Sequence, residues 1–210
     1  MPFNLSCNST YVHDNLISGR GKIPYMTNES DAVKAVAGLM ALAARTAPKA
    51  CGLDSIKIEV LAGKEQMALG DAMIAVAKET GMEFLRINGE QVKASDATVL
   101  IGVKGQKTLG INCGGCGYAS CAEMAKVQKG RKNKGSAYAG PNCVLKISDL
   151  GIAVGSAVKT ASLHNVDNRI MYTAGFVALK AGHLKGCSVA YGIPLKASGK
   201  NIYFDVQFGH

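Results

Sequence analysis

Residues 98–103, with the sequence TVLIGV, are the stretch that decides the fold. The run is apolar at nearly every position, which is typical of a strand buried on both faces of a sheet. Residues 55–61 (SIKIEVL) alternate apolar and polar side chains, and residues 187–194 (CSVAYGIP) form a later β-rich run. We interpret these two runs as further strands of the same sheet.

Helical patterns surround these strands. Apolar residues recur at helical spacing over four segments, which we predict to be helices: 31–47, 64–80, 148–163 and 168–184. Two β-rich runs, 82–87 and 202–208, are predicted as additional strands. Because single helices alternate with single strands, we predict one α/β (α+β) domain over residues 29–210, with a Cys-rich insert at about 110–145. Residues 1–28 lack any period and are predicted to form an N-terminal arm.

Composition restricts the class of protein. Of the 210 residues, 48% are hydrophobic and 19% are charged, which excludes disorder as the main state. The longest apolar stretches, such as residues 36–44, are far shorter than the roughly 20 residues that span a bilayer, so no membrane role is expected. The first residues lack a secretory signal, so we expect a cytoplasmic protein. In that reducing compartment, clustered cysteines indicate metal rather than disulfides.

Four of the seven cysteines form one constellation. Cys113, Cys116 and Cys121 lie in NCGGCGYASC, and Cys143 follows in GPNC, which gives the spacing C-x2-C-x4-C-x21-C. Four thiolates complete the ligand shell of either a [4Fe-4S] cluster or a zinc ion. The neighbouring glycines favour the cluster, because they let backbone N–H groups approach inorganic sulfide. Zinc remains open, although it is usually held by two C-x2-C pairs.

The same residues resemble known proteins. NCGGCGYASCAEMA with the distal GPNC is similar to the four-cysteine iron–sulfur domain of corrinoid iron–sulfur proteins and of ferredoxin-like electron-transport subunits. Residues 41–61, 149–162 and 189–205 are similar to segments of nitroreductase-like flavoproteins, in the same order. Together they resemble an uncharacterised family of ferredoxin-domain-containing proteins, in which an iron–sulfur segment lies in a nitroreductase-like frame. The resemblance implies a sheet flanked by helices and a homodimer.

The resemblance also brings FMN into consideration. Nitroreductases bind the FMN phosphate with an Arg-rich motif before the first long helix, and here the stretch at 26–37 reads MTNESDAVKAVA. The segment KACGLDS, residues 49–55, also departs from the flavin-binding pattern. Because the residues that would hold the cofactor are absent, FMN is disfavoured as a second cofactor.

A basic stretch follows the third cysteine. The chain as a whole has a formal net charge of +9. The basic residues of this stretch are Lys126, Lys129, Arg131, Lys132, Lys134 and Lys146. We interpret them as a docking surface for an acidic redox partner, with a solvated loop as the alternative. Nucleic-acid binding is disfavoured because no recognition motif accompanies the charge. Cys51 and Cys187 are interpreted as small buried cysteines.

Three functions remain open. The first is an iron–sulfur protein that carries one [4Fe-4S] cluster on Cys113, Cys116, Cys121 and Cys143 and exchanges electrons with a protein partner. The second is a flavin- or substrate-dependent reductase on the nitroreductase-like frame. The third is a zinc-stabilised module that binds nucleic acid. The sequence assigns no catalytic residue, and whether the protein is an enzyme is left open.

Overall fold

The structure, a computed structural model, describes residues 29–130 and 137–204. Within these residues the chain forms six α-helices and four strands, which follow one another in this order: α1 Glu29–Thr46, β1 Ile56–Leu61, α2 Gly63–Thr80, α3 Glu83–Ala94, β2 Ala97–Val103, α4 Cys121–Gly130, α5 Val144–Leu163, β3 Asp167–Asn168, α6 Tyr172–Lys180 and β4 Val189–Lys196. The predicted arm at residues 1–28 lies outside the described residues.

The described strands form one antiparallel sheet in the order β1-β2-β4-β3. Strand β2 is central and all seven of its residues are buried, as its continuous apolar run predicts. Its alternate residues face opposite layers: Val99 and Ile101 pack with α1 and α5, whereas Leu100 packs with α2, α3 and α6. The molecule is therefore a sheet covered by helices on both faces, which confirms the predicted fold class.

Most predicted elements are confirmed within a few residues. Helix α2 ends at Gly81, whose φ of 72° and N–H bond to the Ala77 carbonyl form a left-handed helix end. The predicted strand at 82–87 is wrong, because this segment begins helix α3. Leu85 and Val92 recur at helical spacing and are buried against α2, and this period continues past the β-rich run.

The predicted helix at 168–184 and the predicted strand at 202–208 also differ from the structure. The predicted helix at 168–184 begins later, because residues 167–168 pair with β4 before α6 starts. Residues 202–204 of the predicted final strand form bends, and the remainder of that run lies outside the described residues. Among the described helices, none combines the length and hydropathy that a membrane span requires.

Candidate metal centre

The four predicted ligands lie on a loop and at two helix starts. Cys113 and Cys116 lie on the loop between β2 and α4, Cys121 is the first residue of α4, and Cys143 is the residue that caps the N-terminus of α5. Cys113 is exposed, Cys116 and Cys121 are half-buried, and Cys143 is buried. The set thus extends from the surface to the edge of the core.

The loop owes its shape to residues with positive φ. Gly114 and Gly117 have φ of 71° and 83°, and the Gly117 N–H donates to the Gly114 carbonyl at 2.9 Å. This conformation is accessible to glycine without a steric penalty. Asn112, at φ 49°, accepts a hydrogen bond from the Cys121 N–H through its side-chain oxygen at 2.8 Å. Asn112 therefore joins the two ends of the loop that carries Cys113 and Cys116.

Helix α4 begins with a variant of the capping box, in which the Glu123 side chain accepts from the residue before the N-cap Ser120. The Glu123 N–H donates to Ser120 Oγ at 3.2 Å, and the Ala119 N–H donates to Glu123 Oε2 at 3.2 Å. One turn in, the side chain of Met124 is fully buried and anchors the helix. These contacts fix the position of Cys121 at the helix start.

Cys143 is held by a cradle of three residues, Gly105, Asn142 and Ser188. The Cys143 N–H donates to the Gly105 carbonyl at 2.8 Å. Ser188 Oγ accepts from the Gly105 N–H at 3.0 Å and donates to Asn142 Oδ1 at 2.6 Å. A Cβ at Gly105 would lie 2.5 Å from Asn142 Oδ1, so any other residue at this position would displace the Asn142 side chain. Sequence reasoning missed all three residues, although the adjacency of Asn142 to Cys143 was a signal.

The cysteine loop packs against the start of α5. A Cβ at Gly115 would lie 2.6 Å from Val144 Cγ1 and 3.8 Å from Cys113 Sγ. Val144 directly follows Cys143, so the loop with Cys113 and Cys116 lies against the helix end that carries the fourth cysteine. The structure thus brings the two separate cysteine segments of the sequence to one end of α5.

The sulfur atoms are not arranged as a preformed metal site. Within residues 29–130 and 137–204, no three His, Cys, Asp or Glu side chains are close enough together to hold a metal ion. The donor set nevertheless fits an iron–sulfur cluster, because it consists of four thiols on segments that meet at α5. The N-termini of α4 and α5 carry partial positive charge next to Cys121 and Cys143, which favours an anionic group there.

One member of the predicted basic surface is buried. Lys126 and Lys129 are exposed on α4, whereas Arg131, Lys132 and Lys134 lie outside the described residues. Lys146 is only 2% exposed, so its predicted place on a docking surface is wrong. Its ammonium group donates to the Leu53 carbonyl and to Asp149 Oδ2, the latter at 3.2 Å. This ion pair is satisfied because Asp149 Oδ1 also accepts from the Ala50 N–H at 2.8 Å.

The residues at the start of α1 do not fit a flavin phosphate. The first turn of α1 carries Glu29 and Asp31, and Lys34 is paired with Asp31 at 2.9 Å. Two carboxylates at a helix N-terminus disfavour an anionic phosphate beside that end of the helix. The absence of the Arg-rich motif therefore has an electrostatic counterpart in the structure.

The two remaining described cysteines differ in environment. Cys51 is exposed in the middle of a short 3₁₀ turn, Ala50–Gly52, where its φ is 55°, so its predicted burial is wrong. Cys187 is half-buried beside β2, and burial raises the pKa of its thiol above the usual value. Among the described residues, neither cysteine lies in a group of three or more possible metal ligands.

Comparison with known proteins places the chain in a family. Residues 139–206 match the family model described as "Uncharacterized protein containing a ferredoxin domain (DUF2148)". A protein of Archaeoglobus fulgidus, described as "Uncharacterized protein", is 42% identical over 177 residues, which cover 84% of this chain and 93% of that protein. The chain belongs to this family of ferredoxin-domain proteins, as the cysteine motif predicts. The family description indicates an iron–sulfur protein.

Solved structures share the frame. Nitroreductase CinD of Lactococcus lactis, in complex with chloramphenicol, superposes with a TM-score of 0.54 and 15% identity, over 80% of this chain and 79% of that chain. A nitroreductase with bound FMN from Desulfitobacterium hafniense has a TM-score of 0.51 and 14% identity, over 83% and 92% of the two chains. At this identity the likeness shows the fold alone, and it confirms the predicted nitroreductase-like frame.

Proposed function

We propose that this chain carries one [4Fe-4S] cluster on Cys113, Cys116, Cys121 and Cys143, and that it passes single electrons to or from a protein partner. The observation that carries this proposal is the packing of the cysteine loop, through Gly115, against Val144 at the start of α5. Cluster assembly then needs only a local rearrangement of the loop, because the cradle already holds Cys143 and the capping box holds Cys121.

Electrostatics support an anionic cluster at this place. A cluster with four thiolate ligands carries a charge of about −2 when oxidised, and it is stabilised by the N-termini of two helices. Lys126 and Lys129 are exposed on the helix that Cys121 begins. Cations around the cluster favour an acidic surface on the redox partner, since complementary charge accelerates association.

The test is anaerobic purification with iron, sulfide, zinc and flavin quantified per chain. We expect about four irons and four sulfides, and their loss in Cys116→Ala. Cys51→Ala is the matched control, because this exposed cysteine lies outside the set and its replacement is expected to leave the iron content unchanged. Stoichiometric zinc without iron would contradict the cluster. It would support the zinc module, whose nucleic-acid affinity would then fall steeply with salt.

A reductase is the second candidate function. Its support is the frame shared with nitroreductases, one of which contains bound FMN. The acidic first turn of α1 opposes a flavin phosphate, which weighs against this candidate. Flavin below about one tenth per chain, together with a full cluster, would favour the electron carrier.

We further propose that the protein is a cytoplasmic homodimer. Leu39 and Leu42 on α1 and Ile152 on α5 are exposed, and each is a large apolar side chain. Gly151 and Gly155 on α5 have open space around them within the described chain, although glycine disfavours a helix interior. A second copy packed on this face would bury the exposed apolar side chains and could approach α5 closely at the two glycines. Analytical ultracentrifugation is expected to show a dimer, and Leu42→Glu is expected to shift it to monomer.

A further inference from the structure

A small pocket opens where the end of α2 and the start of α3 meet α6. Its volume is about 130 Å³, and its walls include Met82, Phe84, Leu85, Tyr172, Phe176 and Lys180. Helices α2, α3 and α6 cover one face of the sheet, whereas α1 and α5 cover the other. The pocket therefore lies across the sheet from the start of α1, and none of the four predicted cluster ligands lines it.

Aromatic side chains form much of the pocket wall. The rings of Phe84 on α3 and Tyr172 on α6 have centroids 6.4 Å apart and are tilted by 39°. Phe176 follows one turn later on α6 and is buried, so it forms the inner part of the wall. Aromatic rings attract one another in tilted and offset arrangements. The free sides of these rings therefore offer favourable contacts to a further ring.

The apolar side chains at the mouth of the pocket are unusually exposed. Met82, Phe84 and Tyr172 are 45%, 44% and 46% exposed, and all three line the same pocket. Single apolar side chains on a surface are ordinary, but a contiguous group around a concavity is typical of a ligand-binding groove. The burial of these side chains by a ligand would stabilise the complex.

The volume of the pocket restricts the size of the ligand. A cavity of about 150 Å³ lined by Leu, Ile and Phe side chains is large enough to bind benzene. The 130 Å³ of this pocket thus corresponds to one six-membered ring. A nucleotide or a flavin is too large to enter it.

Lys180 is the only charged residue among those that line the pocket. Its ammonium group lies 4.7 Å from the centroid of the Phe176 ring. Within residues 29–130 and 137–204, the ion pairs of the chain do not include this lysine. Its charge is therefore available to an anionic group on a ligand whose ring packs beside Phe176.

The start of α3 adds positive potential at the same place. Its N-cap residue, Met82, makes no side-chain hydrogen bond to the first N–H groups of the helix. The partial positive charge of a helix N-terminus therefore lies beside the pocket. Glu83 does not line the pocket, and its carboxylate is paired with Arg86 at 2.5 Å.

We propose that this pocket binds a monocyclic aromatic acid of the benzoate class. Its ring packs against Phe84, Tyr172 and Phe176, and its carboxylate accepts a hydrogen bond from Lys180 Nζ. The site does not depend on the proposed cluster, because no cysteine contributes to it. It nevertheless adjoins the segment that leads to Cys143, since Ala137 also lines the pocket.

The experiment is an NMR titration of the anaerobically purified full chain, isotope-labelled at its methionine methyl groups, with sodium benzoate. We expect a saturable shift of the Met82 signal. Met67 is the internal control, because it is similarly exposed on α2 but does not line the pocket, and its signal is expected to stay in place. Acetate, which lacks the ring, should bind at least about tenfold more weakly, and cyclohexanecarboxylate, which lacks the aromatic electrons, about threefold more weakly.

Two variants test the two halves of the ligand. Phe84→Ala is expected to weaken benzoate binding about tenfold, whereas Ile87→Ala, which removes an equally exposed side chain outside the pocket on the same helix, should bind like the wild type. Lys180→Gln should weaken benzoate binding about tenfold but leave the affinity for benzyl alcohol unchanged, because that ligand has no charge. Lys64→Gln is its control, because this exposed lysine lies at the opposite end of α2 from the pocket.

All four variants are expected to keep the wild-type iron content, so a failure of this site is distinguishable from a failure of the proposed cluster. Absence of a saturable Met82 shift would overturn the proposal. Equal affinities for benzoate and acetate would reduce the site to a nonspecific anion contact, and equal affinities for benzoate and cyclohexanecarboxylate would refute the aromatic class. Unchanged benzoate binding by Phe84→Ala would refute the location.

Discussion

Replacing Gly105 by alanine tests whether the cradle holds Cys143 as described. An added Cβ would lie 2.5 Å from Asn142 Oδ1 and 2.8 Å from Ser188 Oγ, whereas ordinary contacts begin at 3.4 Å. Asn142 would have to retreat by about 0.9 Å, which disturbs the bonds from Ser188 to Asn142 and from the Gly105 N–H to Ser188. Overpacking costs about 1–3 kcal/mol, and each of the two weakened hydrogen bonds costs about 0.5 kcal/mol. We expect a loss of about 2–4 kcal/mol in the free energy of unfolding.

The assay is urea unfolding under anaerobic conditions, combined with iron quantification. Because the Gly105 carbonyl accepts from the Cys143 N–H, Gly105→Ala should also lower the iron content. The double variant Gly105→Ala/Asn142→Ala removes the nearest clashing atom and should be at least about 1 kcal/mol more stable than additivity predicts. Gly199→Ala is the control, because a Cβ on the exposed Gly199 would meet no atom within 4 Å. A Gly105→Ala protein within about 0.5 kcal/mol of wild type would refute the reasoning.

Three further predictions concern the frame and the free thiols. Gly175→Ala should lower the free energy of unfolding in urea by about 3 kcal/mol or more, because its Cβ would lie 2.0 Å from the Ala190 carbonyl oxygen, which is rigid backbone of β4. An effect below about 1 kcal/mol would contradict the close packing of α6 on the sheet. Lys146→Met should cost about 3 kcal/mol or more near pH 7, since it leaves a buried carboxylate without its cation, and unchanged stability would show that the pair is solvated. At pH 8, mass spectrometry should show that iodoacetamide modifies Cys51 at least about tenfold faster than Cys187. The reason is that burial raises the pKa of the Cys187 thiol and keeps it protonated. Equal rates would contradict this difference in environment.

The four-cysteine motif and the frame support different functions. The motif favours an electron carrier, whereas the frame is shared with nitroreductases at 14% and 15% identity. A fold hosts many activities, so the residues of the site carry more weight than the architecture.

Local sequence predicted those elements whose pattern is unambiguous. The apolar run of β2 predicts burial on both faces, and the period of α2 with its terminal Gly81 predicts a helix and its end. The first half of α3 was wrongly predicted as a strand, because Phe84 and Ile87 favour strands by propensity. Both side chains are exposed on the helix in the structure. Its helical state depends on a close crossing with α2, where a Cβ on Gly70 would lie 2.9 Å from the Gly89 carbonyl oxygen.

The sequence by itself determined the four-cysteine motif, the family to which the chain belongs and the buried central strand, because each depends on residue type and spacing along the chain. Tertiary structure alone decided that Lys146 points inward, since α5 is apolar on most of its surface and its pattern does not define the buried face. It also decided the cradle of Gly105, Asn142 and Ser188. These residues are far apart in the chain, and only the pairing of β2 with β4 beside the start of α5 makes them neighbours.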